Sequence, residues 1–436
     1  MTNIKKLVAC FALSLACSGC LSVSGYAAEN KDIPNPFADL KNNSANPGDP
    51  NAPSVAPMVI PAPPEVDATS WVLMDYDTGR VITEHQAHQK IWPASLTKMM
   101  TSYVIGTEIK AGRLHMDDNV EIPLDAWSKN YSDSSKMFIE VGKTIKVGDL
   151  VRGIIIQSGN DACVAMAIHL AGTEQGFVGV MNKYCEQLGL KETHFSNVHG
   201  LYDDNNYSTA YDMSLLGRAL IKDLPEEYSI YSQKDFTFNG IKQHNRNQLL
   251  WDKTLNVDGI KTGHLSQIGY NLVASATEGP QRMIATVIGA KSEKGRAQAC
   301  RSLLIYGFRY FEAYTPLKAG KTILSRAVRM GEKDSVDLVL PEDLKLLIPR
   351  GRQNQITINY KLKHSVFKAP IAKGENLGHI EVKIEGRPYA TATLVSAEDI
   401  KEGGFFSKTW DQIISFFTDD DEATDAENTD NQANAG

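Results

Sequence analysis

Ser95 and Lys98 stand three residues apart in the run Trp92–Pro93–Ala94–Ser95–Leu96–Thr97–Lys98–Met99–Met100. Pro93 suits the first turn of a helix, where its missing N–H costs nothing. The apolar, helix-tolerant run from Met99 to Ile105 follows. Side chains at i and i+3 of such a turn meet, so a hydroxyl and an amine would share one face. The positive end of the helix dipole favours a developing alkoxide and later an anionic intermediate. The lysine can act as base if burial or a second cation lowers its proton affinity. The chemistry this spacing offers is acyl transfer through a serine. The same spacing recurs at Ser365–Val366–Phe367–Lys368, but in a β-like segment before Pro370, where the two side chains would not share a helical face.

Two further short stretches could do chemistry. Ser158–Gly159–Asn160 lies between an apolar run and Asp161–Ala162–Cys163–Val164 and could present a hydroxyl and an amide into a cleft. Ser44–Ala45–Asn46 and Ser128–Lys129–Asn130 share the spacing, so only context separates them. Lys261–Thr262–Gly263, the sole Lys-Thr-Gly of the chain, closes a strand-like run, and its glycine admits a close ligand. Glu84–His85–Gln86–Ala87–His88 has the wrong order for a His-Glu-x-x-His zinc site. Asp212 stands where it would cap a helix.

Positioning these pieces requires a sheet and helices. Residues 71–76 and 81–83 flank Asp77–Thr78–Gly79–Arg80 as a β-hairpin would. Helical periodicity marks 147–157, 161–171, 175–188 and 213–222. Strand-like runs return at 257–262, 270–277 and 282–290, and 295–311 reads as a closing helix. The expected fold class is α+β: an antiparallel sheet with helices packed on it. Composition shifts near Thr315–Pro316, and 316–400 reads as a small β-rich domain with strands at 335–340, 355–362, 377–384 and 390–395. This leaves a unit over 67–315 that holds all three stretches and reads as a serine acyl-transferase domain.

The flanks differ in kind. Lys5 and Lys6, an apolar run and Gly25–Tyr26–Ala27–Ala28 predict a secretory signal over 1–28. Residues 29–66 hold nine of the 18 prolines and predict an extended arm. Within 401–418, Phe406, Trp410, Ile413, Ile414 and Phe417 fall on one helical face, which fits a membrane interface, a docked helix or a dimer contact. Residues 419–436 carry seven acids and no base, so the net charge of −7 belongs to a solvated tail. No basic stripe points to nucleic acid. Cys163, Cys185 and Cys300 form neither a disulfide framework nor a metal spacing.

In the order Ser-x-x-Lys, Ser-x-Asn, Lys-Thr-Gly, the set resembles that of serine penicillin-binding proteins and β-lactamases. Residues 93–101, 157–163 and 258–264 are more specifically similar to the low-molecular-mass D-alanyl-D-alanine carboxypeptidases of bacterial cell walls, the penicillin-binding protein 5/6 type. The resemblance runs from about Trp71 to Phe417 and omits the arm and the acidic tail. It implies a β-lactamase/transpeptidase-like fold, no cofactor, a peptidoglycan pentapeptide as substrate and covalent capture of β-lactams. Ser95 would be the nucleophile, Lys98 its base, lowered by burial and by Lys261, and Ser158 the relay to the departing D-alanine. Asn160 would bind the substrate amide and fix Lys98. Lys261 and Thr262, with Arg296 in support, would hold the terminal carboxylate, Gly263 would let the ligand close in, and the N–H groups of Ser95 and His264 would form the oxyanion hole. The segment from Asp125 to Lys136 would border the site. Periplasmic location with peripheral inner-membrane attachment through 405–417 is implied as well. A β-lactamase, a cross-link endopeptidase and an inactive wall-binding scaffold are the rivals; no Glu-x-x-Leu-Asn segment follows Ser158, which counts against the first.

Overall fold

A computed structural model of the chain describes residues 59–404; the signal, most of the arm, the 405–417 segment and the acidic tail lie outside the described residues. The chain opens with β1 (Ser70–Asp75), β2 (Val81–His85) and α1 (Thr97–Lys110). Two short strands, β3 (Asn119–Glu121) and β4 (Thr144–Lys146), lead into α2 (Val147–Arg152), α3 (Asn160–Ala171) and α4 (Glu174–Leu188). Then come α5 (Ala210–Asp223), α6 (Pro225–Tyr228) and the small hairpin β5 (Asp235–Phe238) and β6 (Ile241–His244). Three long strands, β7 (Asn256–Leu265), β8 (Gly269–Glu278) and β9 (Gln281–Ala290), precede α7 (Glu293–Tyr310).

The main sheet has the order β2-β1-β9-β8-β7 and every pair in it is antiparallel. Strand side chains alternate between faces, and here both faces are covered. Val72, Met74, Ile260, Val273, Ile284 and Ile288 pack into the cluster built by α1 to α5. Trp71, Leu73, Leu272, Ala274, Met283 and Val287 pack with Ala297, Cys300, Leu303 and Leu304 of α7. This is why β1 reads as a continuous apolar run although its partner β2 is half exposed. Helix α1 is buried on all sides from Thr97 to Gly106, and its buried polar side chains Thr97, Lys98, Thr101 and Ser102 each make a hydrogen bond.

Thr209, not Asp212, caps α5: its side chain accepts from the Asp212 N–H. Asp212 sits a turn further in and accepts from the Glu192 N–H and the Thr193 hydroxyl, both at 2.8 Å. It ties the preceding loop to the helix instead of ending it.

Beyond α7 follow β10 (Phe311–Leu317), β11 (Leu324–Arg329), β12 (Ser335–Val339), β13 (Leu344–Pro349), β14 (Ile356–Leu362), β15 (Phe367–Lys368), β16 (Asn376–Ile384) and β17 (Arg387–Ser396). They form a β10-β13 pair and a six-stranded sheet of order β14-β16-β17-β12-β11-β15. The composition shift at Thr315–Pro316 falls inside β10. Strands β10, β11 and β13 have no counterpart in the sequence pattern: β10 buries no residue fully, β11 buries only Leu324 and Val328 beside arginines, and β13 buries Leu344 and Leu346 to Ile348 in a run of six. This region meets the β1–β2 turn through Lys345 and Asp77 at 2.5 Å and through Arg80, 4.0 Å above the Tyr389 ring. Among the described residues, no helix is long and apolar enough to cross a membrane.

Candidate active site

Ser95 lies in a single 3₁₀ turn, Ala94–Leu96, and the α-helix proper begins at Thr97. The expected one-helix geometry is therefore split at its first turn. Ala94 takes φ +51°, an unfavoured conformation for a residue with a Cβ. Two close approaches hold it there. A Cβ added to Gly200 would stand 1.8 Å from the Ala94 carbonyl oxygen, and one on Gly263 would stand 3.0 Å from Pro93 O and 3.3 Å from the Ser95 nitrogen. Strand β7 and the loop after Val198 thus press the nucleophile turn from two directions. Within it the Lys98 amine donates to Ser95 Oγ at 3.0 Å and to the His199 carbonyl at 2.5 Å.

Ser158 is set by a different device. Helix α2 continues into a π-type turn over Gly153–Gln157, which ends on Ser158 at φ +60° and ψ +36°. Wide turns of this kind occur often at functional sites, and a left-handed serine is strain that the surroundings must hold. Lys261, on β7, donates to Ser158 Oγ at 3.0 Å and to its neighbour's carbonyl, Thr262 O, at 3.3 Å. Lys98, Ser158, Asn160, Lys261, Thr262 and Arg296 are all buried.

The electrostatics of the two lysines follow from that burial. Burial pushes the Lys98 amine down from 10.5 to about 8, and the Arg246 guanidinium adds to it. Arg246 is thus a cation acting on Lys98 beyond the expected Lys261, whose repulsion with Lys98 is mutual. Lys261 is itself held well below its ordinary value by burial, then by Lys98 and Arg246. Burial and Lys98 together also keep the His199 imidazole neutral, down at about 3.

The remaining expected residues are distributed around this centre. Asn160 opens α3, but its amide donates to Ser134 Oγ at 2.9 Å and makes no bond to Lys98. The reason is that the backbone N–H of Asn160 is bound to Ser135 O at 2.9 Å, which turns the side chain toward that segment. Thr262, Gly263 and His264 pair with Leu272, Asn271 and Tyr270 across β7–β8, and the His264 ring lies 4.1 Å from that of Tyr270. Arg296, in the first turn of α7, donates to Gly263 O at 3.1 Å, and its second terminal nitrogen has no hydrogen-bond partner among the described residues.

The chain matches the D-alanyl-D-alanine carboxypeptidase profile, the S11 serine peptidases, over residues 58–292 and that of the penicillin-binding protein 5 C-terminal domain over 311–402. The chain belongs to the D-alanyl-D-alanine carboxypeptidase family. It is 50% identical over 362 residues to the D-alanyl-D-alanine carboxypeptidase DacA of Escherichia coli K12, covering 82% of this chain and 90% of that protein. Penicillin-binding protein 5 from Haemophilus influenzae superposes with a TM-score of 0.76 at 49% identity, covering 78% of this chain and all of that one. Penicillin-binding protein 6B from Escherichia coli gives 0.66 at 42% identity, with 78% of this chain and 98% of the other covered. The α+β architecture with a β-rich C-terminal region is that of these carboxypeptidases.

Three residues around the candidate site escape motif reading. Asp161 is fully buried beneath the Ser-x-Asn turn and accepts from the Met137, Phe138, Ile139 and Ala162 N–H groups at 2.8–3.3 Å. It pins the segment that borders the site, and an acid in a helix's first turn looks like an ordinary dipole partner. Arg246 donates to Ser135 Oγ at 2.6 Å from the loop after β6, where nothing local announces it. His199 acts through its carbonyl, which no side-chain pattern encodes.

Proposed function

We propose that the protein removes the terminal D-alanine from peptidoglycan pentapeptides through an acyl-enzyme on Ser95, and that β-lactams acylate the same oxygen. The observation that carries this reading is the pairing of each serine with its own buried lysine, Lys98 with Ser95 and Lys261 with Ser158. Neutral Lys98 takes the Ser95 proton as Oγ attacks the penultimate D-alanine carbonyl. The oxyanion is received by the Ser95 and His264 N–H groups. As the C–N bond breaks, Ser158 passes a proton to the departing amine and recovers, through Lys261, the proton that Lys98 took from Ser95, so both lysines return to their starting forms and Lys98 is neutral again. Water, deprotonated by Lys98, then cleaves the ester and restores Ser95. The incoming carboxylate favours protonated Lys261, which holds it together with Thr262 and Arg296. Gly263 lets the peptide lie close against β7, and Asn160 turns from Ser134 to the substrate amide.

Export to the periplasm, through the leader over 1–28, and peripheral attachment to the inner membrane, through 405–417, complete the proposal. The charged-apolar-small pattern supports the first, and the aromatic face of 405–417 the second. The test is an intact mass spectrum after benzylpenicillin with peptide mapping, beside D-alanine release from a diacetyl-Lys-D-Ala-D-Ala peptide. One stable adduct on Ser95, abolished in Ser95→Ala, and release of free D-alanine are expected. A label that persists on another serine, or fast steady penicillin hydrolysis, refutes the reading.

A further inference from the structure

Trp92 and Tyr202 form an aromatic pair that the reaction as described leaves unused. Their ring centroids lie 5.2 Å apart at an interplanar angle of 58°, and Tyr202 is 47% exposed. Both are tied to the nucleophile by the backbone. Trp92 is three residues before Ser95, so its Cα lies within about 11 Å of the serine's. Tyr202 is three residues after His199, whose carbonyl holds Lys98, and Gly200 between them packs against the Ala94 carbonyl. The pair is therefore joined by short stretches of backbone to the turn that carries Ser95 and to the carbonyl that holds Lys98.

Its surroundings carry a sign. The Tyr202 hydroxyl donates to Asp204 Oδ1 at 2.6 Å, and Asp203 receives only the Asn205 N–H, at 2.8 Å. Neither carboxylate has a cationic side chain within ion-pair distance among the described residues. Electron-rich ring faces beside two uncompensated carboxylates make a place for a cation. A neutral ring ligand such as a sugar gains the stacking but leaves the charge unanswered.

We propose that Trp92, Tyr202, Asp203 and Asp204 form a subsite for a side-chain ammonium on the residue that precedes the scissile D-Ala–D-Ala pair. This rests on the acyl-enzyme reading above. With the penultimate D-alanine carbonyl on Ser95, that residue is the next one outward, and a lysine-length side chain reaches about 6 Å from its backbone. The subsite distinguishes a stem peptide with a free amine from one whose amine is acylated, as it is in a cross-link. It would direct the enzyme to uncross-linked chains.

The test compares kcat/KM for Nα-acetyl-Lys-D-Ala-D-Ala with that for its Nα,Nε-diacetyl analogue, each enzyme normalised by titration with a fluorescent penicillin. A cation held by an exposed ring and a carboxylate corresponds to a preference of roughly fivefold for the free amine. The preference should shrink toward unity in Tyr202→Leu and in the Asp203→Asn/Asp204→Asn double variant. It should also weaken with added salt. Equal rates for the two peptides in the wild type, or a preference that survives both variants, overturns the subsite while D-alanine release keeps the carboxypeptidase reading intact. Release from neither peptide brings down both. A preference for disaccharide-bearing over bare pentapeptide, lost in Trp92→Leu with no amine preference, overturns the cation site in favour of a sugar platform.

Discussion

The cleft and the β-rich region beyond α7 are built on opposite terms. Of the buried polar side chains among the described residues, Ser396 is the sole one past residue 310, while the part before it buries Lys98, Ser158, Asn160, Asp161, Lys261 and Arg296 within one site. The β-rich region buries Val336, Leu338, Ile380, Val382 and Leu394, and keeps ion pairs such as Lys318–Asp343 and Lys333–Glu398 at its surface. Exposed pairs of that kind contribute little either way. Buried lysines cost stability, and left-handed Ala94 and Ser158 add strain. One region buries charged groups at a cost in stability; the other buries apolar side chains and keeps its charges in water.

The sharpest way to break that contrast is Lys98→Met. Acylation should fall by roughly a thousandfold or more, read as the second-order rate of penicillin labelling. Stability should move the other way. The Lys98 amine is lowered from 10.5 to about 8 in the folded chain, so the unfolded chain binds the proton more tightly. Below pH 8 that burial opposes folding in full, and the penalty fades as pH rises from 8 to 10.5. Lys98→Met should therefore be about 1–3 kcal/mol more stable at pH 7 in urea unfolding, with the gain shrinking toward pH 10. Equal or lower stability at pH 7 would show that the lysine is compensated and the contrast false.

Asp161→Asn tests whether the buried acid is a positioning residue. The amide offers one acceptor and turns a donor toward the N–H groups of residues 137–139, all now held by the carboxylate. The bordering segment should loosen, and kcat/KM should fall about tenfold to a hundredfold. A merely structural acid would lower thermal stability and leave kcat/KM per labelled site untouched.

How far the sequence foretold the site depends on what each residue uses. Ser95, Lys98, Ser158 and Lys261 pair through side chains that stand in short motifs, so types and order led to them. The long strands β8 and β9 and helices α3 to α5 were legible too, because each buries a wide face and repeats it. The split turn at Ala94–Leu96 was not, since tertiary pressure from Gly200 and Gly263 sets it. The Ser134 partner of Asn160 arises from packing across 26 residues of chain, which local patterning cannot carry.

Arg246→Gln gives a smaller effect. Neutral Lys98 is the competent form, so acylation should rise about tenfold per pH unit up to about 8 and then level off. The limb belongs to the interacting amines together. Removing the Arg246 charge raises the Lys98 proton affinity, moves the limb to higher pH, and lowers the rate at pH 7 roughly twofold through solvent. An unmoved limb would assign the depression to burial alone.

The least effect on chemistry is expected from the other side of the contrast. Ile380, at the centre of β16 opposite Ala392 of β17, is fully buried. Ile380→Ala removes apolar contacts and leaves a cavity, at about 2–5 kcal/mol. Its neighbours are the β-rich strands, and it adjoins none of the groups that hold Ser95, Lys98, Ser158 or Lys261. Urea unfolding followed by far-ultraviolet circular dichroism should show the loss, while penicillin labelling of the folded fraction keeps its rate. A parallel fall in labelling would mean that the two regions are coupled, and the sheet beyond α7 would then have to be counted among the supports of the cleft.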